Sequence, residues 1–142
     1  MAYFWLNQYK ESQGYSDVIG EVYNYRNNVP GHKKLSVGDR FVYYWPGEYL
    51  LFGAGTVDHI DSNNIASAPD TEALIEYYAH IDTYVEFDPP VEVRKIKDRI
   101  SFLRGREGLR GVPQNSIYEI SRDDFVTVLR VAGELGIFSD DA

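Results

Sequence analysis

Short runs of aromatic and β-branched residues fill the first third of the chain, and they constrain its fold more than any other feature. Twelve tyrosines occur in 142 residues, and most of them lie between Tyr3 and Tyr49, beside both tryptophans. Such residues favour strands, and turn residues such as Pro46 and Gly47 separate the runs. The runs predict three strands, at Tyr3–Asn7, Phe41–Trp45 and Tyr49–Ile60.

The rest of the chain predicts a closing helix and further short strands. Phe125, Val128, Leu129 and Ala132 recur at helical spacing after Ser121, a favoured N-cap residue. Other strands are predicted at Asp17–Arg26, Ala79–Phe87, Val91–Ile96 and Ile117–Ile120. A short helix is predicted at Glu72–Tyr78, a strand end at Asp88–Pro90, loops at Gln8–Ser16 and Asn63–Thr71, and a frayed tail at Ser139–Ala142.

These elements predict one α+β domain spanning residues 1–142. Since no repeat or linker divides the chain, its strands should form a strongly bent sheet or pseudo-barrel, flanked by a few helices and closed by the C-terminal helix. The chain contains no cysteine, which excludes disulfides, iron–sulfur sites and thiol nucleophiles. Without a signal peptide or an apolar run of spanning length, we expect a soluble, cytoplasmic protein with no membrane partner.

The histidines do not predict a metal site. His32, His59 and His80 are scattered, and no two of them have the i,i+4 spacing of ligands on a helix. Neither a metal nor a cofactor is therefore expected.

The aromatic runs also suggest a recognition surface, because amide and guanidinium groups lie among the rings. Flat rings beside hydrogen-bonding groups suit a planar, polar ligand such as a nucleobase. The carboxamides of Asn7 and Asn24 each offer a donor and an acceptor for the edge of a base. Packing within the core or on a half-buried strand is the alternative for each ring, and a turn or strand-edge role is the alternative for each asparagine.

A basic segment interrupts an otherwise acidic chain. The net charge is −8, yet residues 94–110 contain seven basic and two acidic residues, a net charge of +5. A localised positive surface can contact phosphates even on an acidic protein. The alternative is a solvated helix face or a salt-bridged loop. The predicted phosphate-binding residues are Arg94, Lys95, Arg99, Arg104, Arg106 and Arg110.

The order of the N-terminal segments resembles the EVE domain, a family of the PUA-like superfamily that also contains YTH and ASCH domains. The resemblance covers about residues 3–60 and lies in three segments: Tyr3–Asn7, Gly20–Asn27 and Leu35–Val57. The sequence departs from the family where Trp45 replaces an expected histidine and where the Arg104–Arg110 segment has no clear counterpart.

The resemblance implies a pseudo-barrel with a pocket for a flipped, modified base. EVE domains look like the reader halves of modification-dependent restriction endonucleases, often joined to HNH nuclease domains. The matched positions would place Trp5, Tyr23, Asn24, Tyr25 and Trp45 near this pocket. The expected partners are double-stranded DNA with a modified base and a fused or partner nuclease. The favoured base is a modified cytosine, such as 5-methylcytosine or 5-hydroxymethylcytosine.

Other classes of function remain open from the sequence. ASCH relatives include hydrolases of modified nucleosides, and YTH domains suggest a reader of RNA modification. A module that binds a protein or a small ligand would also keep the aromatic pocket. Enzymatic chemistry needs a positioned base or nucleophile, and no spacing ties Glu21, Asp39 or Glu48 to a lysine or serine. No catalytic residue is therefore predicted, and the domain is expected not to be an enzyme.

Overall fold

The computed structural model describes residues 1–9, 17–66, 74–113 and 115–138. Six strands and two α-helices form in those residues. In chain order they are β1 (Tyr3–Asn7), β2 (Val22–Arg26), β3 (Arg40–Trp45), β4 (Leu50–Ala66), β5 (Leu74–Glu92), α1 (Val93–Ile96), β6 (Ile117–Ile120) and α2 (Arg122–Ala132). Two 3₁₀ turns follow the helices, at Lys97–Arg99 and Leu135–Ile137.

The six strands form one sheet in the order β2-β5-β4-β3-β1-β6. β1 and β3 are parallel, and the other neighbouring pairs are antiparallel. Four register shifts interrupt the long β4–β5 hairpin, and such bulges bend a strand and increase its twist. The result is a strongly bent, open sheet with two short helices, which confirms the predicted α+β fold.

Both faces of the sheet are buried at its centre. Because side chains alternate along a strand, Tyr3 and Trp5 of β1 point to one face while Phe4 and Leu6 point to the other. The first pair packs in a core that includes Phe125 of α2. All four β1 side chains are buried, so the end of β1 is held firmly from both sides.

The closing helix begins at the predicted N-cap residue. The Ser121 hydroxyl accepts a hydrogen bond from the Asp124 backbone N–H at 3.0 Å, which satisfies one of the free amides at the helix start. Gly133 ends the helix with φ of 76°, a left-handed conformation that glycine adopts without steric cost. The buried α2 residues Phe125, Val128 and Leu129 contact the sheet core.

The predicted helix at Glu72–Tyr78 is wrong, since Leu74–Tyr78 belongs to β5. Cross-strand pairing decides the structure there: Tyr77 pairs with Tyr25 of β2, and their rings stack 5.1 Å apart. The predicted loop at Asn63–Thr71 is wrong at its start, since β4 continues to Ala66. Residues 72 and 73 lie outside the described part of the chain, as do residues 10–16, 67–71 and 139–142 of the predicted loops and tail.

The predicted strand end at Asp88–Pro90 is also wrong, because β5 continues to Glu92. Gly53 pairs with Glu86 while Leu51 pairs with Val91, so both prolines lie within a register shift. A proline lacks the N–H that a regular ladder needs, and a bulge tolerates it. After Glu92 the chain turns into α1, where a continued strand had been predicted.

Candidate functional site

The end of β1 presents a carboxamide on a fixed backbone. The Asn7 N–H donates to the Ser116 carbonyl at 2.8 Å, and its carbonyl accepts from the Tyr23 hydroxyl at 3.2 Å. The Asn7 Oδ1 atom is buried and has no hydrogen-bond partner among the described residues. A buried polar atom without a partner costs about 1–3 kcal/mol, which makes this oxygen a candidate ligand contact.

Asn7 lines a pocket of about 430 Å³. The pocket lies between the end of β1, the β3–β4 turn and residues 109–113, at the end of the basic segment. Its lining consists of Asn7, Tyr44, Pro46, Gly47, Tyr49, Leu109, Arg110, Gly111, Val112 and Pro113. Aromatic, carboxamide and guanidinium groups thus converge with apolar side chains, a composition typical of small-molecule sites.

Tyr49 is held at the rim of this pocket in a strained conformation. Its φ is 57°, which is uncommon for a residue with a side chain. The backbone is tied at both ends, because its N–H donates to Trp45 and its carbonyl accepts from the Val93 N–H. The Arg94 guanidinium lies 4.5 Å from the ring centroid. Since maintained strain clusters at functional sites, we treat this ring as a candidate ligand contact.

Tyr44 forms a second aromatic part of the pocket wall. Its ring packs 5.0 Å from Trp5, and burial raises its pKa to about 12. Tyr49 adds to this upward shift, whereas the Arg94 charge opposes it. The Tyr44 hydroxyl therefore stays protonated at neutral pH, where it is able to donate a hydrogen bond.

Buried residues anchor the basic segment beside the pocket. Ile100, Leu103 and Leu109 are buried in the same core as Trp5. The Ser101 N–H donates to the buried carboxylate of Asp124 at 2.8 Å. This anchoring fixes the loop against the sheet, so the exposed arginines between the anchors project from a supported surface.

Two further concavities continue from the Asn7 pocket. A pocket of about 340 Å³ shares the Gly111–Pro113 wall and is otherwise lined by Phe102, Arg106, Asn115 and Tyr118. A pocket of about 490 Å³ shares Asn115 and Tyr118 and extends between β6 and the Gly31–Lys34 loop. The three pockets are thus neighbours, and their linings contain Arg110, Arg106 and Lys34 in turn, with Glu119 beside Lys34 in the third.

The structure buries most of the residues predicted to contact a base. Trp5, Tyr23, Asn24 and Tyr25 are at most 5 % exposed. The Asn24 Nδ2 group donates to the Tyr77 carbonyl at 3.0 Å, which is a structural role. Trp45 is half-buried against the same cluster as Tyr23 and Tyr25. Among the six predicted residues, Asn7 is the one in the described pocket lining.

The six predicted phosphate-binding residues are all exposed, but they occupy different places. Arg94 and Arg110 adjoin the Asn7 pocket, and Arg106 lines the next concavity. Lys95 pairs with Glu92 at 2.6 Å, and Arg104 donates to the Asp98 carbonyl. Arg99 follows at the end of the 3₁₀ turn.

The sequence analysis missed Tyr44, Tyr49, Val112 and Pro113 as pocket residues. Tyr49 directly follows the Pro46–Glu48 turn, a position that a search for aromatic residues at strand ends would have found. Val112 and Pro113 follow the last arginine of the basic segment, and no local motif distinguishes them from core residues.

The fold is similar to that of an ASCH protein of known structure. Two crystal structures of ZmASCH from Zymomonas mobilis match this chain. One is a serine-to-alanine mutant with a TM-score of 0.60 and 11% identity, covering 92% of this chain and 96% of that chain. The other is a tyrosine-to-phenylalanine mutant with a TM-score of 0.60 and 7% identity, covering 92% and 99%.

No family model matches the sequence, and no curated protein matches it. At this level of identity the structural likeness shows the fold alone and does not show the EVE family. None of the helices in the described part of the chain has the length and apolar character needed to cross a membrane.

Proposed function

We propose that the protein binds duplex DNA and holds one extruded, modified cytosine in the Asn7 pocket. The observation that carries this proposal is Asn7, a residue that lines a pocket with two tyrosines and whose buried Oδ1 atom lacks a partner among the described residues. A cytosine presents an amino group as a donor, and Oδ1 is an acceptor. The pairing satisfies both groups when the base enters.

Stacking and apolar contact supply the rest of the binding energy. Extruding a base costs a few kcal/mol, and stacking on one ring returns about 1–3 kcal/mol. Tyr49 supplies the ring for this contact, because a planar cationic group, the Arg94 guanidinium, already lies over it. Leu109, Val112 and Pro113 give the pocket an apolar wall, and contact with one methyl group contributes about 1 kcal/mol.

Phosphate contacts come from the pocket and the concavity that continues from it. Arg110 and Arg106 line the first two concavities, so a backbone that follows them meets one cation in each, whereas Glu119 lies beside Lys34 in the third. These contacts position the duplex without reading its sequence. A local positive surface of this kind offsets the net charge of −8.

We assign this reader to the EVE type and place any cleavage in a fused or partner nuclease, such as the HNH domain of a restriction system. Hydrolysis would need a base or nucleophile beside the ligand. Among the described residues that line the Asn7 pocket, none is a carboxylate, a histidine or a lysine. This composition supports binding over catalysis.

A binding screen tests the proposal. Identical duplexes carrying cytosine, 5-methylcytosine, 5-hydroxymethylcytosine, its glucosylated form or N6-methyladenine are titrated with the protein at fixed salt, beside a methylated single-stranded RNA. We expect one modified cytosine to bind at least about fivefold more tightly than cytosine, the value of one buried methyl group. Equal affinity for all duplexes would overturn the reader, and preference for the modified RNA would replace DNA as the partner.

A further inference from the structure

Two histidines that are far apart in sequence meet on the β4–β5 hairpin. His59 and His80 are cross-strand partners, and their rings stack with centroids 4.1 Å apart and planes 10° from parallel. Asp61 follows His59 by two residues, so the pleat of β4 brings its carboxylate to the same face. The i,i+4 spacing used in the sequence analysis could not predict this arrangement, because it applies only to two ligands on one helix.

The ring nitrogens converge on one carboxylate oxygen. The Asp61 Oδ2 atom lies 2.9 Å from His80 Nε2 and 3.8 Å from His59 Nε2. One potential ligand atom from each of the three residues lies within 4.8 Å of the others. Ligands around a tetrahedral zinc ion with bonds of about 2.0–2.1 Å are about 3.4 Å apart, so the distances suit the ion once the two rings rotate out of their parallel stack and direct both lone pairs to one point.

A fourth residue already orients one ligand. The Asp58 Oδ2 atom lies 2.8 Å from His59 Nδ1, and a proton on that nitrogen leaves Nε2 with its lone pair free. Histidines that bind metals commonly use the second ring nitrogen to contact a carboxylate, which fixes the tautomer and raises the basicity of the ligand. Asp58 and His59 have this arrangement before any ion is bound.

We propose that His59, His80 and Asp61 form a zinc-binding site, with Asp58 as a positioning residue. Two imidazoles and one carboxylate are a donor set that zinc accepts, and three protein ligands leave one coordination position open. The ion would join β4 to β5 on the exposed hairpin. This site is separate from the Asn7 pocket, so its existence does not depend on the DNA-binding proposal.

Titration of the metal-free full chain with Zn²⁺ tests the site. Calorimetry should give one saturable site, and His59→Gln, His80→Gln and Asp61→Asn should each weaken it at least tenfold. Asp58→Asn should weaken it about tenfold, the lower end of the effect of losing an outer-shell partner. His32→Gln is the matched control, since it removes the remaining histidine of the chain, and its affinity should equal that of the native protein.

Two further measurements separate a histidine site from loose binding by exposed acids. A large excess of Mg²⁺ should not displace Zn²⁺, because Mg²⁺ prefers oxygen ligands and does not select imidazole. Zn²⁺ should also raise the melting temperature of the native chain and leave that of the His59→Gln/His80→Gln double variant unchanged. Unsaturable binding, full displacement by Mg²⁺, or equal affinity in the double variant would overturn the proposal.

Discussion

The tyrosines of the core and the tyrosine at the pocket rim are held by different surroundings. Tyr25 is buried between Tyr23, 5.9 Å away, and Tyr77, 5.1 Å away, so protein rings occupy the space beside it. Tyr49 lies at the end of a turn, with Arg94 over its ring and a pocket beside it. The same residue type therefore stabilises the fold at the centre of a strand and remains available to a ligand at a strand end.

Substitutions in the core and in the Asn7 pocket should therefore have different effects. Substitutions in the core should lower the free energy of unfolding and leave the selectivity of binding nearly intact in whatever protein remains folded. Substitutions in the Asn7 pocket should change the selectivity of binding and leave the free energy of unfolding nearly unchanged. Each prediction below tests one side of this contrast.

The largest expected effect is alkaline unfolding. Burial raises the pKa of Tyr25 and of Tyr44 to about 12, and it raises the pKa values of Tyr43 and Tyr84 as well. Because these pKa values exceed the unfolded value of about 10, the folded state holds the protons more tightly. The resulting stability is complete below pH 10 and is lost as the pH rises through 12.

For Tyr25 and Tyr44 together, the free energy of unfolding should fall as the pH rises from 10 to 12. Denaturant unfolding between pH 8 and pH 12 measures it, and absorbance at 295 nm shows which tyrosines ionise. Tyr25→Phe and Tyr44→Phe should each reduce the pH dependence, whereas Tyr9→Phe, at an exposed position, serves as the control. A Tyr25 that titrates near pH 10 would mean that its ring is not part of the core.

The two asparagines predicted to contact a base should respond oppositely to substitution by leucine. Asn24→Leu removes the hydrogen bond to the Tyr77 carbonyl and should lower the free energy of unfolding by about 1–3 kcal/mol. Asn7→Leu removes an acceptor that has no partner among the described residues, so stability should stay constant or increase. Urea unfolding of both variants gives the comparison, and equal destabilisation would place Asn7 in the structural framework too.

Removing the rim tyrosine should weaken binding without unfolding the protein. Asparagine tolerates positive φ better than other residues with side chains, so Tyr49→Asn deletes the ring and keeps the turn. The affinity for the preferred duplex should fall by about 1–3 kcal/mol, the value of one stacking contact, and the melting temperature should change little. Tyr78→Asn is the matched control. A Tyr49→Asn variant that binds DNA as the native protein does would remove this ring from the site.

The smallest effect concerns the exposed arginines of the first two concavities. Arg106→Ala combined with Arg110→Ala should weaken binding to modified and plain duplexes by similar factors. The slope of log affinity against log salt should flatten by about two units, one for each phosphate contact. Arg122→Ala with Arg130→Ala, on α2, carries the same change of charge and should leave the slope unchanged. Equal salt slopes in the two double variants would mean that the basic segment is a solvated loop without phosphate contacts.

The fold could be predicted from the sequence further than the site could. The aromatic, apolar run in β1 and the helical spacing in α2 are local signals, and so is Ser121 as an N-cap; each of them predicted the observed element. The pocket combines Asn7 with Tyr49 and Pro113, which belong to three distant segments. Their meeting depends on β1 pairing with β3 and on the anchoring of residues 100–109. Aromatic density instead identified Tyr23 and Tyr25, because a buried ring and a ligand-binding ring look alike in sequence.

The base preference of the Asn7→Leu variant tests the central claim most directly. Dissociation constants for the preferred modified duplex and for the plain duplex are measured with the native protein and with this variant at the same salt concentrations. Because the Asn7 contact holds the extruded base, we predict that the variant binds both duplexes through phosphate contacts alone, so the native ratio of at least about fivefold falls to one while the salt slope persists. A variant that keeps the native ratio would contradict the assignment of the Asn7 pocket as the base-binding site.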